Sequence, residues 1–275
     1  MSEALRSRER ALHAILRDLG STLVAFSGGV DSAYLAWAAH AVLGPRALAV
    51  TGDSPSYPDR HRQMALRLAR DFGFAHEMVP TAELARAEYR ANGAARCYHC
   101  KTELYGRLTA LARARGFASV VDGSNADDRG DYRPGRQAAR EHGVRSPLDE
   151  AGLSKDDIRA LSQAAGLPTW DEPASACLSS RIPYGSEVTD EKLRQIERAE
   201  ELVRDLGFRV FRVRHHDHVA RLEIARDEMG RALDADVSRR LVDGLKALGY
   251  QYVSLDLQGY RLGSLNEALR LRPVP

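Results

Sequence analysis

Two groups of residues in this chain have types and spacings that could do chemistry. The first is Ser27-Gly28-Gly29-Val30-Asp31-Ser32. Gly28 and Gly29 carry no Cβ, so the backbone there can take positive φ and close on an anion. Ser27 and Ser32 add hydroxyls, and a helix starting here would turn its free N–H groups and positive dipole end to the same spot. Asp31 places a carboxylate beside an anion site, which makes sense if it holds the magnesium that travels with a nucleotide polyphosphate. No Gly-Lys-Ser/Thr follows, so this is not a Walker A loop; the plain alternative is a strand-to-helix turn with a Ser or Asp cap. The second group is cysteine. Cys97-Tyr98-His99-Cys100 has the two-residue gap by which adjacent thiolates share one metal, and Cys177 is the third cysteine. The pair reads as half a zinc site needing a histidine such as His99, as a redox pair, or as two unconnected thiols. Three thiolates without a fourth suit a four-iron four-sulfur cluster with one open iron.

The elements that must position these residues alternate in period. Leu5, Leu12, Ile15, Leu16 and Leu19 suit an amphipathic lead helix, whereas Leu23 to Phe26, Ala47 to Val50, Ala75 to Val79 and Ala118 to Val121 suit short buried strands with helices between them. That rhythm predicts an α/β fold, a Rossmann-like parallel sheet covered on both faces, with ligands at the carboxyl ends of its strands. Both Ser27 to Ser32 and Gly123 to Asp128 fall at such ends. A helix around Lys155 to Ala165 leads into a Pro-rich ordered loop, residues 167–185. Beyond it the pattern predicts a smaller α+β unit: helix Glu191 to Leu206, strands Phe208 to Arg214 and Val219 to Ile224, helix Val237 to Leu248 and strand Tyr250 to Leu257. The expected domains are 1–185 and 186–275.

Composition limits the function classes. The chain has 275 residues, enough for a full core, and 40 basic against 38 acidic residues leave a net charge of +2. Nothing global therefore asks for nucleic acid or a membrane surface. No apolar run reaches the roughly 20 residues that span a bilayer, and the first residues lack a signal-peptide core, so a cytoplasmic protein is expected. Odd cysteine count argues against a disulfide framework. Among the arginines, Arg212 and Arg214 should share one strand face and suit a mononucleotide phosphate, with a solvated strand face as the bland alternative. Arg181, four residues after Cys177, is placed to neutralise an adenylate; Ser180 beside it and Arg261, before Gly263-Ser264, are further phosphate candidates. His215, His216 and His218 alternate across a strand, so they read as surface histidines rather than a metal site.

The loop Ser27 to Ser32 resembles the signature of the PP-loop (N-type) ATP pyrophosphatases, which split ATP between the α and β phosphates to adenylate a substrate. Val120-Val-Asp-Gly-Ser-Asn-Ala-Asp-Asp128 strengthens the likeness; it implies that Asn125 and Asp127 meet the nucleotide or its metal. Pro173-Ala-Ser-Ala-Cys-Leu-Ser-Ser-Arg-Ile-Pro-Tyr-Gly185 narrows it. This segment is similar to that of the LarE group of ATP-dependent sulfur transferases, and the resemblance extends to Gly259-Tyr-Arg-Leu-Gly-Ser-Leu-Asn266. It implies adenylation of a carboxylate of pyridinium-3,5-biscarboxylic acid mononucleotide with ATP and Mg2+, then replacement of AMP by sulfur in nickel-pincer nucleotide biosynthesis, by a homohexamer. In single-cysteine members the cysteine matching Cys177 surrenders its own sulfur and becomes dehydroalanine. Cys97 and Cys100 instead resemble the three-cysteine branch, in which all three thiolates ligate a 4Fe-4S cluster that carries sulfide from a separate sulfur donor.

Other classes leave particular residues idle or missing. A tRNA-thiolating PP-loop enzyme would want a basic groove or an RNA-binding module, which the near-neutral charge and short second domain do not provide. An amidating ligase related to NAD synthetase would use ammonia and leave all three cysteines without a task. A non-catalytic nucleotide-binding subunit would bind adenylate without releasing pyrophosphate.

Overall fold

The computed structural model describes residues 2–130, 134–173 and 176–267. The chain forms two compact units. The first joins Met1–Glu83 to Cys97–Ser175, and the second joins Leu84–Arg96 to Ala176–Pro275. The division thus falls ten residues before the Gly185 boundary read from sequence, and the second unit also takes a short segment from within the first. Ala174 and Ser175, from the motif around Cys177, lie outside the described residues.

In the first unit, β1 (Thr22–Ala25), β2 (Ala47–Asp53), β3 (His76–Pro80) and β4 (Ser119–Val121) form a parallel sheet in the order β3-β2-β1-β4. β1 is buried throughout because both of its faces are covered. Its alternation divides the core. Val24, with Phe26 and Ala49, packs against Leu12 and Leu16 of the helix Glu3–Leu19 and Leu35 and Ala39 of the helix Val30–Leu43. Leu23 and Ala25, with Leu48 and Val120, pack against Tyr105, Leu108 and Ala112 of the helix Arg96–Arg115. Full burial of such a leucine stabilises by about 1.5–3 kcal/mol. The chain runs outward from β1 to β2 and β3, then returns to pair β4 with β1 on the other side, so the strand order reverses between β1 and β4. In open parallel sheets ligands bind outside the carboxyl ends of the strands at such a reversal. The loops there are Ser27 to Ser32 and Gly123 to Asp128.

The second unit carries a three-stranded mixed sheet, β5 (Phe211–His216), β6 (Val219–Ile224) and β7 (Tyr252–Leu255), antiparallel between β5 and β6 and parallel between β6 and β7. Two helices cover it, Asp190–Asp205 capped by Thr189 and Ala235–Ala247 capped by Asp234. Phe211, Val213, Leu222 and Ile224 meet Ala199, Val203, Leu241 and Leu245 in its core. The histidine reading needs a correction here. His216 and His218 are exposed, but His215 follows Phe211 and Val213 on the inward face and is only 3% exposed. Tyr250 makes this tolerable: its hydroxyl lies 3.1 Å from His215 Nδ1. Burial pushes the imidazole down to about 4, so it is neutral at physiological pH.

Candidate functional site

The glycine-serine loop folds on itself through its serines. Ser27 N–H donates to Ser32 Oγ at 3.1 Å, Ser32 Oγ donates to the Gly29 carbonyl at 3.1 Å, and the two serine hydroxyls stand 3.0 Å apart. Gly28 has φ +71°, and a Cβ there would stand 3.3 Å from the His61 carbonyl oxygen, so glycine is required both for conformation and for space. Gly29 caps the helix Val30–Leu43 without a side-chain bond, leaving the helix end open to an anion. The loop after β4 comes in tightly. At Gly123 a Cβ would stand 3.0 Å from the Ser32 backbone nitrogen.

Asp31, expected to hold magnesium, is engaged by Asn125 Nδ2 at 3.4 Å and by an ion pair with Lys155 Nζ. Asn125 Oδ1 in turn accepts from Asp127 N–H at 3.0 Å, and Asp127 Oδ2 accepts from the Lys155 backbone N–H at 2.8 Å. The structure therefore brings Asp31, Asn125 and Asp127 together and adds Lys155. A signal for that lysine existed. It is the first residue of the helix Lys155–Ala164, capped by Ser154, where the dipole disfavours a cation unless a carboxylate stands opposite.

Cys97 and Cys100 lie one turn apart at the start of the helix Arg96–Arg115, which puts both thiols on one helix face against the positive dipole end. Cys97 is exposed and Cys100 half-buried. His99 Nδ1, beside them, is buried with no hydrogen-bond partner. Among the described residues, no group of three or more His, Cys, Asp or Glu side chains is gathered for a metal ion.

In the second unit Cys177 opens the short turn Leu178–Arg181. Its Sγ lies 3.0 Å from Ser179 Oγ, which accepts from Tyr89 O–H at 3.0 Å. Arg181 is 2% exposed and turned inward. Its Nε and Nη2 donate to the two oxygens of Glu200, each at 2.8 Å, and its Nη1 donates to the Ala176 and Cys177 carbonyls at 2.7 and 3.0 Å. The guanidinium anticipated on an adenylate is thus committed to shaping the cysteine loop. Sequence reasoning missed three further supports from the segment 84–96. Asn92, in the left-handed region at φ 52°, donates from Nδ2 to the Pro183 and Ser186 carbonyls at 2.8 and 2.9 Å. Arg96 Nη1 donates to the Ser179 carbonyl at 2.9 Å, and Tyr89 is the serine's partner. No sequence spacing announces contacts between residues this distant along the chain.

The phosphate candidates differ in availability. Arg214 is 6% exposed and donates to the Ser180 carbonyl, Glu223 Oε2 and Ser264 Oγ, each at 2.7 Å, although its Nε is buried without a partner. Arg212 shares its strand face, lies over the Tyr260 ring at 5.1 Å, and has its pKa driven down to about 10 by burial and by Arg181. An anion placed there would relieve that stress. Ser180 Oγ donates to the Cys177 carbonyl at 2.8 Å, and Arg261 pairs with Glu267.

No protein-family model matches the chain. Whole-chain likeness is nonetheless extensive: the chain is 38% identical, over 96% of its own length and 96% of the other's, to the pyridinium-3,5-bisthiocarboxylic acid mononucleotide synthase of Lactiplantibacillus plantarum. It belongs to the LarE-type sulfur transferase family. An uncharacterized Synechocystis protein is 45% identical over 96% of this LarE-type chain and 99% of its own. The glutamine-hydrolyzing GMP synthase of Aeropyrum pernix is 27% identical over 70% of this chain but only 41% of its own length.

Proposed function

We propose that this protein uses ATP to convert a carboxylate of pyridinium-3,5-biscarboxylic acid mononucleotide into a thiocarboxylate, in nickel-pincer nucleotide biosynthesis. The observation that carries the reading is the end-to-end likeness to the mononucleotide synthase, and the open loop at the β1–β4 reversal supports the ATP half of it. A carboxylate is a poor electrophile. Its oxygen attacks the α phosphorus, the bond to the bridging oxygen breaks, and pyrophosphate leaves with the electron pair. A sulfur nucleophile then attacks the acyl carbon of the adenylate, and AMP leaves.

In this reading Ser27, Gly28, Gly29 and Ser32 hold the phosphates with backbone and hydroxyl donors. Asp31 would hold Mg2+, which when bound would supply positive charge against the phosphates; its partly exposed carboxylate suits that ion. Asn125 orients Asp31 from the neighbouring loop. Arg212 and Arg214, together with Ser180 and Arg261, take the phosphate of the mononucleotide, and Arg181 holds the Cys177 loop in shape. Cys97, Cys100 and Cys177 are the thiols that would hold a 4Fe-4S cluster, and the paired thiols at a positive helix end fit such a group in their chemistry. When bound, the cluster supplies a transferable sulfide. We also propose self-association, supported by Leu233, Tyr252 and Leu257, large apolar side chains exposed on the second unit. Among the described residues no helix is long and apolar enough to cross a membrane.

The test is anaerobic protein incubated with ATP, Mg2+, the mononucleotide and a sulfide source, with pyrophosphate and product mass as readouts. The expected product has one oxygen exchanged for sulfur. Cys97→Ala, Cys100→Ala and Cys177→Ala should each remove iron and multiple turnover. A wild-type protein that instead loses hydrogen sulfide from Cys177 in a single turnover, with the Cys97 variant fully active, would establish the sacrificial route.

A further inference from the structure

The ion pair of Lys155 occupies the carboxylate that the nucleotide reading assigns to magnesium. Both belong to the first unit. Lys155 is held at its backbone by Asp127 and at its ammonium by Asp31, while a third contact, Asn125 Nδ2, occupies the other carboxylate oxygen. The side chains keep 32% and 22% of their surface, so an arriving ligand can reach both. The ammonium therefore sits at the carboxylate oxygen where a divalent cation would bind. Two cations at one carboxylate repel, and a displaced ammonium on a flexible four-carbon stem next finds the phosphate oxygens that came with the metal. Charge balances on both sides of this exchange: Asp31 trades a monovalent for a divalent partner, and Lys155 trades a carboxylate for a phosphate. Gly123 keeps the loop carrying Asn125 and Asp127 close enough to Ser32 for one nucleotide to span all of them.

We propose that Lys155 is a nucleotide-phosphate ligand that serves as a resident cation on Asp31 until magnesium replaces it. This deepens the ATP half of the function proposed above and rests on it.

The test measures two affinities on the full chain without mononucleotide: α,β-methylene-ATP with Mg2+ by calorimetry, and Mn2+ alone by electron paramagnetic resonance. Loss of a charge-assisted phosphate contact predicts that Lys155→Met weakens the nucleotide analogue by roughly 10- to 100-fold. The same variant, having vacated Asp31, should bind Mn2+ several-fold more tightly. Lys155→Arg should keep analogue binding within a few-fold of wild type. A lysine that merely supports the fold would weaken both ligands in Lys155→Met, and that result overturns the exchange, as does unchanged analogue binding. Lys155→Gln replaces Lys155→Met if the latter does not fold. Failure of the wild type itself to bind the analogue would overturn the ATP reading and this inference together, whereas wild-type binding with an unaffected variant overturns this inference alone.

Discussion

Removing the carboxylate of Glu200 should unfasten the cysteine loop, and the size of the effect follows from the buried pair. Glu200 is 5% exposed and receives two bonds from Arg181 and one, at 3.1 Å, from the Val213 backbone. Glu200→Ala leaves Arg181 charged, buried and without a counter-ion, a change that costs about 3–5 kcal/mol. At roughly 2–4 °C per kcal/mol for a chain of this size, the thermal midpoint should fall by on the order of 10 °C. The double variant Arg181→Met/Glu200→Leu removes both charges and should cost much less than the two single changes added together, because no unpaired charge remains. Urea unfolding of the four proteins closes this cycle. The pair also has a pH signature. Burial pushes the Glu200 carboxyl up, but Arg181 outweighs it and holds the pKa below the ordinary carboxylate value. A group depressed in the folded state contributes stability above its unfolded pKa of about 4.3 and loses it as pH falls through the folded value. Wild type should lose that increment in acid and the double variant should not. A Glu200→Ala cost under about 1 kcal/mol, or strict additivity in the cycle, would refute the argument that this pair holds the loop.

Three further outcomes follow from the geometry. Asp31→Asn should abolish magnesium-dependent pyrophosphate release while leaving the circular dichroism spectrum unchanged; release near the wild-type rate would remove Asp31 from the metal role. Gly123→Ala places a Cβ 3.0 Å from the Ser32 nitrogen, so it should cost about 1–3 kcal/mol and weaken nucleotide binding, read by urea unfolding and calorimetry. His215, held neutral with a pKa depressed from 6.5 to about 4, binds its proton more weakly folded than unfolded, so stability should fall as pH drops through that window by about 3 kcal/mol; His215→Phe should flatten the slope in this range.

Much of the first unit was legible because its signals are local. Thr22 to Ser32 contains a strand, its turn and its helix start in eleven consecutive residues, and the remaining strands fall within a few residues of their apolar runs. Parallel pairing around β1 then follows from general topology. Lys155 on Asp31 and the supports of the Cys177 loop, Glu200 on Arg181 and Tyr89 on Ser179, were harder to read, because they come from distant segments whose local sequence has reasons of its own. A cation in the first turn of a helix is only a weak signal for Lys155, and Glu200 reads as one more charge on an amphipathic helix. His215 was misplaced for a different reason: alternation correctly separated it from His216, but an inward imidazole became acceptable only through Tyr250, thirty-five residues on.

The excursion of Leu84–Arg96 also dictates a calendar for biosynthesis. The stretch that grips the cysteine loop leaves the ribosome long before its partners do; Asn92 precedes Ile182, one of the carbonyls it serves, by 90 positions. Everything required for the parallel sheet has emerged by Ser175, so that sheet can close while 84–96 waits as a tether. The second unit is then completed by capturing a strap already fixed at both ends, with part of its search restricted by tethering. A fragment beginning at Ala176 would be born without that strap, lacking Tyr89 for Ser179 and Asn92 for residues 182–186. Physical separation of the two units by cutting the chain at one point is therefore ruled out by connectivity, and a viable isolated second unit would have to carry Leu84–Arg96 as a grafted extension.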